Sequence, residues 1–334
     1  MKIKIAVVGL NFGWHMIEEI QESEDFELAA VCVRTKARAD EVAAQFGVKA
    51  YYDLDTLLED NEIGAVGLFT GPVGRAEQIR KIIRSGKHVM TTKPFELDSA
   101  AAKAVLEEAK QLKKVVHINS PNPVPAADMR QILEWRDKYD LGRPIGCYCG
   151  LWANYFDKAD GGWYDDPQLC PVPPIYRLGI YLINDLVQLL GEPEKLTVMQ
   201  SRIRTGRPTS DNASLAIMFK NKAIANVFAT FCVGDGRNYR NSLILNYEKG
   251  TIYRNIGTDT EEGMAHLSIV AHEGTVVESN KVSERSGHYQ WKNFYKAING
   301  EALDREITIE MITAGIKIIE AMREVQDGGI ACLA

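Results

Sequence analysis

The run Ile3-Lys4-Ile5-Ala6-Val7-Val8-Gly9-Leu10-Asn11-Phe12-Gly13-Trp14 decides how the first third of the chain is read. Ile3, Ile5, Ala6, Val7 and Val8 make a β-branched run of the kind buried on both faces of a parallel sheet, and Gly9 breaks it. Apolar residues then recur at helical spacing from Met16 to Ile20. A strand that turns into a helix through glycine lets a phosphate approach the backbone N–H groups of the helix start. A regular dinucleotide fingerprint would carry glycine at positions 9, 11 and 14. Here Asn11 takes the second place and Trp14 the third, with Gly13 one residue early. Asparagine is expected to stand in at position 11 because it tolerates left-handed dihedrals better than other non-glycine residues.

Working outward, strands and helices alternate. The run Phe26 to Val33 leads to an alanine-rich helix that places Ala39, Val42, Ala43 and Phe46 on one face. Further strands are expected at Ala50–Tyr52, Ala65–Phe69, His88–Thr92 and Val115–Ile118, with helices between them. Such alternation implies right-handed crossovers and a doubly wound parallel sheet, an α/β Rossmann architecture. Ligands of these sheets sit at the carboxyl ends of the strands, so the informative loops follow Val8, Val33, Phe69, Thr92 and Ile118.

The loop after the second strand bears on the cofactor. NAD enzymes place an acidic residue there for the ribose hydroxyls, whereas arginine accommodates the 2′-phosphate of NADP. This chain has Val33-Arg34-Thr35-Lys36 with Arg38 beyond, three cations and no acid. NADP(H) is therefore favoured over NAD(H), with Arg34, Thr35 and Arg38 as candidate phosphate ligands.

At 334 residues the chain suggests two domains. Hydrophobic residues make up 46% and charged residues 25%, the balance of a soluble globular protein. A net charge of -6 without a basic block argues against a nucleic-acid partner. No segment approaches the ~18 consecutive apolar residues of a membrane span. Met1 to Leu10 does not read as a signal peptide, so the cytoplasm is expected. The six cysteines are scattered, Cys147 and Cys149 face one side of an expected strand, and neither cysteines nor histidines have metal-ligand spacing. No metal is expected.

Three further segments carry a resemblance. Gly86-Lys87-His88-Val89-Met90-Thr91-Thr92-Lys93-Pro94 resembles the Lys-Pro segment of the Gfo/Idh/MocA family, which includes glucose–fructose oxidoreductase and inositol dehydrogenase. Thr70-Gly71-Pro72 resembles that family's loop after the fourth strand. Arg177-Leu178-Gly179-Ile180-Tyr181-Leu182-Ile183-Asn184, with Leu189-Leu190-Gly191-Glu192-Pro193 after it, resembles the family's later helix and its end. The resemblance implies a Rossmann domain followed by an α/β domain with a large, mainly antiparallel sheet. It also implies a homodimer or homotetramer formed through that sheet. The proline-rich stretch Pro121, Pro123, Pro125 is a natural boundary, giving domains at 1–121 and 122–334.

The resemblance further assigns roles. Lys93 matches the lysine that touches the reacting hydroxyl and the nicotinamide ribose, and Tyr181 stands where the family carries its acid/base histidine or tyrosine. Gly9, Asn11, Phe12, Gly13, Trp14, Thr70, Gly71, Pro72, Arg75, Lys93 and Pro94 join Arg34, Thr35 and Arg38 as cofactor-binding candidates. Arg177 and Asn184 replace two family acids. Spacings of four and three residues put Arg177, Tyr181 and Asn184 on one helical face. A phenol needs cationic neighbours to act as a base near neutrality, and Lys93 and Arg177 are candidates to supply them. Arg177 could also grip a carboxylate on the substrate. The aromatic segment Trp152, Asn154, Tyr155, Phe156, Asp157 to Trp163 and Tyr164 suits a carbohydrate ring, with Trp152, Asn154, Tyr155, Trp163, Arg177 and Asn184 as substrate-binding candidates. The expected activity is hydride transfer to or from a secondary alcohol or carbonyl of a sugar, cyclitol or related diol. Two alternatives remain open: redox-neutral conversion of a glycoside with recycled bound cofactor, and an NADP-binding regulatory protein with reduced catalysis.

Overall fold

In the computed structural model, β1 (Ile3–Val8), β2 (Phe26–Cys32), β3 (Lys49–Tyr51), β4 (Ala65–Leu68), β5 (His88–Thr91) and β6 (Val116–Ile118) form a parallel sheet. It describes residues 2–156, 158–236, 240–257, 261, 263–283, 287–325 and 329–333, so Asp157 lies outside the described residues. The sheet order is β3-β2-β1-β4-β5-β6. The chain therefore runs outward on one side of β1 and, after a reversal, outward on the other side from β4. That reversal opens a crevice at the carboxyl ends of β1 and β4, the binding place of doubly wound sheets. Helices α1 (Leu10–Glu22), α2 (Lys36–Phe46), α3 (Leu54–Leu58), α4 (Arg75–Arg84) and α5 (Ser99–Gln111) alternate with these strands. Ile5, Ala6, Val7 and Val8 are all buried, as expected of a central strand packed on both faces.

The chain divides into two compact units. The first comprises 1–96, 100–124 and 289–309, the second 97–99, 125–288 and 310–334. Residues 289–309, which the sequence reading placed in the second domain, pack with the first. Aromatic side chains explain this return. Phe26 of β2 stacks on Phe294 at 5.6 Å and meets Trp291 edge-on at 5.7 Å. The Trp291 indole N–H also donates to Glu19 at 2.8 Å. The residues concerned belong to α8 (Trp291–Ile298), to which no sequence pattern had been assigned.

In the second unit α6 (Ala127–Lys138) precedes β7 (Pro144–Trp152), and a wide turn at Ile175–Gly179 leads into α7 (Ile180–Leu190). The strands β8 (Pro193–Ser201), β9 (Asn212–Phe219), β10 (Ile224–Thr230), β11 (Arg240–Tyr247), β12 (Gly250–Arg254), β13 (Ala265–Ala271), β14 (Val276–Val282) and β15 (Ile330–Cys332) complete it, with α9 (Ile309–Ala321) before β15. Among the described residues the sheet has nine strands in the order β14-β13-β12-β11-β7-β10-β9-β8-β15. Only the β7–β10 pairing is parallel. The α/β expectation with a large, mainly antiparallel second sheet holds.

Period-two burial shows which face carries the core. In β9, Ala213, Leu215, Ile217 and Phe219 are buried while Ser214 is exposed. Cys147, Cys149 and Leu151 of β7 point the same way, the two cysteine sulfurs 3.4 Å apart. Each fully buried Leu, Ile or Phe side chain contributes roughly 1.5–3 kcal/mol. The sequence did not reveal β14, whose exposed alternation is mostly polar, or the three-residue β15. No helix among the described residues is long and apolar enough to cross a membrane.

Candidate active site

Gly9 leaves β1 with φ 87°, a conformation that favours glycine. A Cβ there would lie 2.8 Å from the Phe69 carbonyl oxygen, so the two loops at the β1–β4 crevice approach too closely for any side chain. Helix α1 begins at the next residue, with no side-chain cap and no acid in its first turn. Its first amide N–H groups are consequently those that an anion can engage.

Two expectations about this loop change. Asn11 lies inside the first turn of α1 and is exposed, so position 11 needs no left-handed residue. Gly13 does the work expected of position 14: a Cβ there would stand 2.9 Å from Val7 Cγ1 and 3.1 Å from Phe69 Cδ2. The close helix–strand approach is thus made one residue early, which frees Trp14 for the other flank. Its indole packs on Phe46 at 5.4 Å, and Arg38 lies over it at 5.0 Å. Phe12, on the opposite side, packs against Phe69 and Tyr289 with centroids 6.1 and 6.2 Å away.

Arg34 and Thr35 are exposed at the end of β2, where Thr35 opens α2. Arg38 also pairs with Glu41 at 2.8 Å. The geometry therefore presents Arg34 to solvent and commits Arg38 in part to a carboxylate and an indole.

At the carboxyl ends of β4 and β5 one residue does something unexpected. Arg75, a cofactor candidate, is only 1% exposed. Its guanidinium donates to the backbone carbonyls of Thr70, Thr92, Pro94 and Phe95. It is a buried clasp joining the Thr70-Gly71-Pro72 loop to the Lys93-Pro94 segment, and a side chain so placed does not reach outward to a dinucleotide. The Glu96 carboxylate accepts the Ala76 N–H at 2.8 Å and so completes the start of α4. Lys93 is half-buried, with its amide N–H donating to the Asn119 side-chain oxygen at 3.0 Å beyond β6. Thr70 Oγ1 donates to Gln78 at 2.8 Å. Gly71 is exposed, whereas Pro72 and Pro94 are buried. Asn119, Gln78 and Glu96 were missed in the sequence because each acts on the loops from the next element.

In the second unit, Arg177 lies in the wide turn Ile175–Gly179 and Tyr181 in the first turn of α7. A turn that bonds residue i to i+5 advances each residue by less than the about 100° of an α-helix. Arg177 and Tyr181 therefore stay near one line, both half-buried, while Asn184 rotates away. Asn184 is 4% exposed and fills the space that Gly315 of α9 leaves for its amide. It is a helix-packing residue rather than a member of an open face. The Tyr181 ring lies against Gly287 in the same way.

Arg177 is surrounded by aromatic rings, with its guanidinium 4.4 Å from the centroid of Tyr155, 5.6 Å from Tyr164 and 5.9 Å from Phe231. These residues, with Pro173, Thr205 and Arg207, line a narrow cleft of about 260 Å³ counting its open mouth. Asp211, fully buried at the start of the β9 region, holds one wall by accepting the N–H groups of Ile203, Arg204 and Thr205 at 2.7–2.8 Å. Burial pushes this carboxyl up, but the three amides outweigh it and hold Asp211 below the ordinary carboxylate range. Arg207 is fixed by Asp165 at 2.6 Å and by the Lys158 carbonyl at 2.9 Å. Burial likewise raises Asp165, yet the amides of Asp160 and Gly161 with Arg207 bring it below its usual value.

Of the other substrate candidates, Trp163 stacks on Tyr164 at 3.9 Å and so backs the cleft. Trp152 donates its indole N–H to Asp235 at 3.3 Å, and exposed Asn154 bridges to Cys232. These two lie at and just beyond the end of the central strand β7 and do not line the cleft. Arg207, Thr205 and Phe231 went unread because they come from loops and strands far along the chain, with no local pattern to mark them. Also unread was a buried ion triad: Arg254 Nη1 lies 2.9 Å from both Asp128 and Asp185, all three side chains at most 3% exposed. It joins α6, α7 and β12.

Comparison with known proteins agrees with this architecture. Residues 3–120 match the family described as "Oxidoreductase family, NAD-binding Rossmann fold", and residues 129–253 match the "GFO/IDH/MocA C-terminal domain". The chain belongs to the Gfo/Idh/MocA oxidoreductase family. It is accordingly an NAD(P)-dependent dehydrogenase or reductase acting on CH–OH groups. An uncharacterized oxidoreductase of Schizosaccharomyces pombe is 24% identical over 96% of each chain. A scyllo-inositol 2-dehydrogenase (NADP(+)) of Bacillus subtilis is 30% identical over 58% of this chain and 60% of its own length. Among solved structures, an oxidoreductase from Desulfitobacterium hafniense superposes with a TM-score of 0.81 at 17% identity, covering 99% of this chain and 98% of that one.

Proposed function

We propose that this Gfo/Idh/MocA protein is an NADP(H)-dependent oxidoreductase of a secondary alcohol or carbonyl on a sugar, cyclitol or related diol. The observation that carries the reading is Lys93. It stands at the carboxyl end of β5, on the same sheet edge as the Gly9 turn, on backbone clasped by Arg75 and held by Asn119. The tight Gly9 turn and the uncapped start of α1 fit a dinucleotide pyrophosphate. When bound, the nicotinamide supplies or accepts the hydride. The chain's own residues bind, orient and move the proton.

In this reading the α1 amides and Asn11 hold the pyrophosphate, with Gly9 and Gly13 permitting the approach. Arg34, Thr35 and Arg38 select the 2′-phosphate. Thr70, Gly71, Pro72 and Pro94 shape the remainder of the cofactor's rim. Lys93 polarises the substrate oxygen and Tyr181 exchanges its proton. Tyr155, Trp163 and Arg177 bind the substrate. The B. subtilis relative, an NADP(+)-dependent inositol dehydrogenase, supports the cofactor and the substrate class. The open face of the large sheet, with Tyr148, Ile224 and Phe228 exposed, is the surface for a dimer or tetramer, and the protein acts in the cytoplasm.

The test is Lys93→Met. NADPH binding, followed by nicotinamide fluorescence, should persist, while turnover of cyclitols and aldoses with NADP(+) falls by about 10²-fold or more. Unchanged turnover would remove Lys93 from the chemistry.

A further inference from the structure

We propose that Arg75 is a positioning residue for Lys93, acting through the backbone on either side of the lysine and tying it to the Thr70 loop. The proposal rests on the reading of Lys93 as the group that polarises the substrate oxygen. It adds the residue on which the lysine's placement depends. All the groups concerned belong to the first unit.

The carbonyls that Arg75 takes are not scattered. Nη1 donates to those of Thr92 and Pro94, the residues directly before and after Lys93, and to that of Phe95 at 3.3 Å. Nη2 donates to the carbonyl of Thr70, in the loop that leaves β4. The two nitrogens are fixed in one plane, so a single rigid group sets the spacing between the two loops. Hydrogen bonds from a charged donor are the stronger kind, and burial keeps water from competing for them.

The link runs in both directions. Glu96, three residues after Lys93, sends its carboxylate back to the Ala76 N–H at 2.8 Å, beside Arg75 at the start of α4. From the other side, Asn119 beyond β6 accepts the Lys93 N–H at 3.0 Å. The lysine backbone is thus held on both flanks by side chains from different elements.

Burial marks what the clasp leaves free. Of residues 91–97 only Lys93 is not buried. Its neighbours are packed and bonded, so the lysine side chain starts from a backbone that cannot shift unless Arg75 yields. A clasp serving stability alone would have no need to bracket this residue. A displacement of about 1 Å made away from the reacting atoms can cost about 10²-fold in rate.

Arg75→Lys tests this, because an ammonium keeps the charge but cannot span both loops with a planar fork. Amide hydrogen exchange of the full chain, read residue by residue, needs no substrate. The Lys93 amide should exchange at least about tenfold faster in Arg75→Lys, while the β1 amides of Val7 and Val8 stay unchanged. In turnover of cyclitols and aldoses with NADP(+), kcat should fall by about 10–100-fold, with KM and NADPH affinity within about threefold of wild type. Adding Arg75→Lys to Lys93→Met should cost nothing further, since the residue it positions is already gone. An unchanged Lys93 amide, equal acceleration in β1, or losses that simply add in the double variant would each overturn the proposal. If Arg75→Lys does not fold, the wild-type chain still decides: NADPH should slow exchange at Thr70, Gly71 and Lys93 together, and protection of the Thr70 loop without Lys93 would overturn it. The two readings fail separately. Turnover indifferent to Lys93→Met removes the lysine from the chemistry, whereas the exchange result bears on the clasp alone.

Discussion

Acidification should destabilise the first unit through two histidines that the fold keeps neutral. His117 in β6 is 4% exposed and packs on Phe294 at 5.4 Å, and neither ring nitrogen has a hydrogen-bond partner among the described residues. Burial lowers its pKa to about 3. His88, at the start of β5, is lowered to about 4, mainly by burial and then by Lys114. Its Nδ1 accepts the Val115 N–H at 3.0 Å, which requires that nitrogen to be unprotonated. In the unfolded chain both would titrate near about 6.5. Below that pH the unfolded state binds protons that the folded state refuses, so stability falls as pH drops from about 6.5 toward the folded pKa values. At pH 5 each histidine costs about 2 kcal/mol relative to pH 8, about 4 kcal/mol together. The depressed carboxylates, such as Asp211, begin to lose stability only below the ordinary aspartate range, so they do not mask this window. Urea unfolding at pH 8, 6.5 and 5 measures the loss, and His117→Phe, which keeps an aromatic partner for Phe294, should remove about half of it. A wild-type loss under about 1 kcal/mol, or a His117→Phe protein with the same pH slope, would refute the argument.

Three further outcomes follow from single contacts. Gly13→Val should push α1 off β1, because even a Cβ meets Val7 at 2.9 Å, and NADPH affinity should fall by about tenfold or more in a fluorescence titration. Arg34→Asp should weaken NADPH by about 10–100-fold while leaving NADH binding unchanged or improved; a parallel loss of both would mean the residue supports the loop rather than the phosphate. Arg254→Met should cost about 3–5 kcal/mol in urea unfolding, because it leaves Asp128 and Asp185 buried together without their cation. A loss below about 1 kcal/mol would show that the triad is hydrated or already protonated.

How far the sequence could be read depended on whether the decisive contact was local. Strands β1 to β6 were legible because central parallel strands are apolar throughout, and the glycine turn announces the helix that follows. Gly13 shows the limit of motif spacing. The contact that matters is a helix backbone against Val7 and Phe69, and a helix starting directly after Gly9 makes that contact one residue earlier than the fingerprint. Arg75 was misread for a related reason. A cation next to a cofactor loop suggests a ligand, but four backbone carbonyls from two loops surround it, and no sequence pattern records carbonyls. The return of 289–309 to the first unit likewise rests on aromatic pairs separated by more than 250 positions in the chain, such as Phe26 with Phe294.

The helix that carries Tyr181 joins these lessons to the chemistry. Ordinary α spacing places Arg177, Tyr181 and Asn184 on one face, which would make Asn184 a substrate contact. The wide turn at Ile175–Gly179 under-rotates the start of the helix, so Arg177 stays aligned with Tyr181 while Asn184 turns inward to Gly315. A one-residue deletion inside 175–179 that restored α-helical bonding would swing Arg177 out of its ring of Tyr155, Tyr164 and Phe231 without touching Tyr181. The cleft would then lose its first guanidinium while the proton-transfer residue remained. Substrate affinity should therefore suffer before the proton-transfer step does, raising KM with a smaller change in kcat. An equal fall in kcat, with the protein folded and NADPH bound, would mean that the wide turn positions Tyr181 itself rather than the arginine ahead of it.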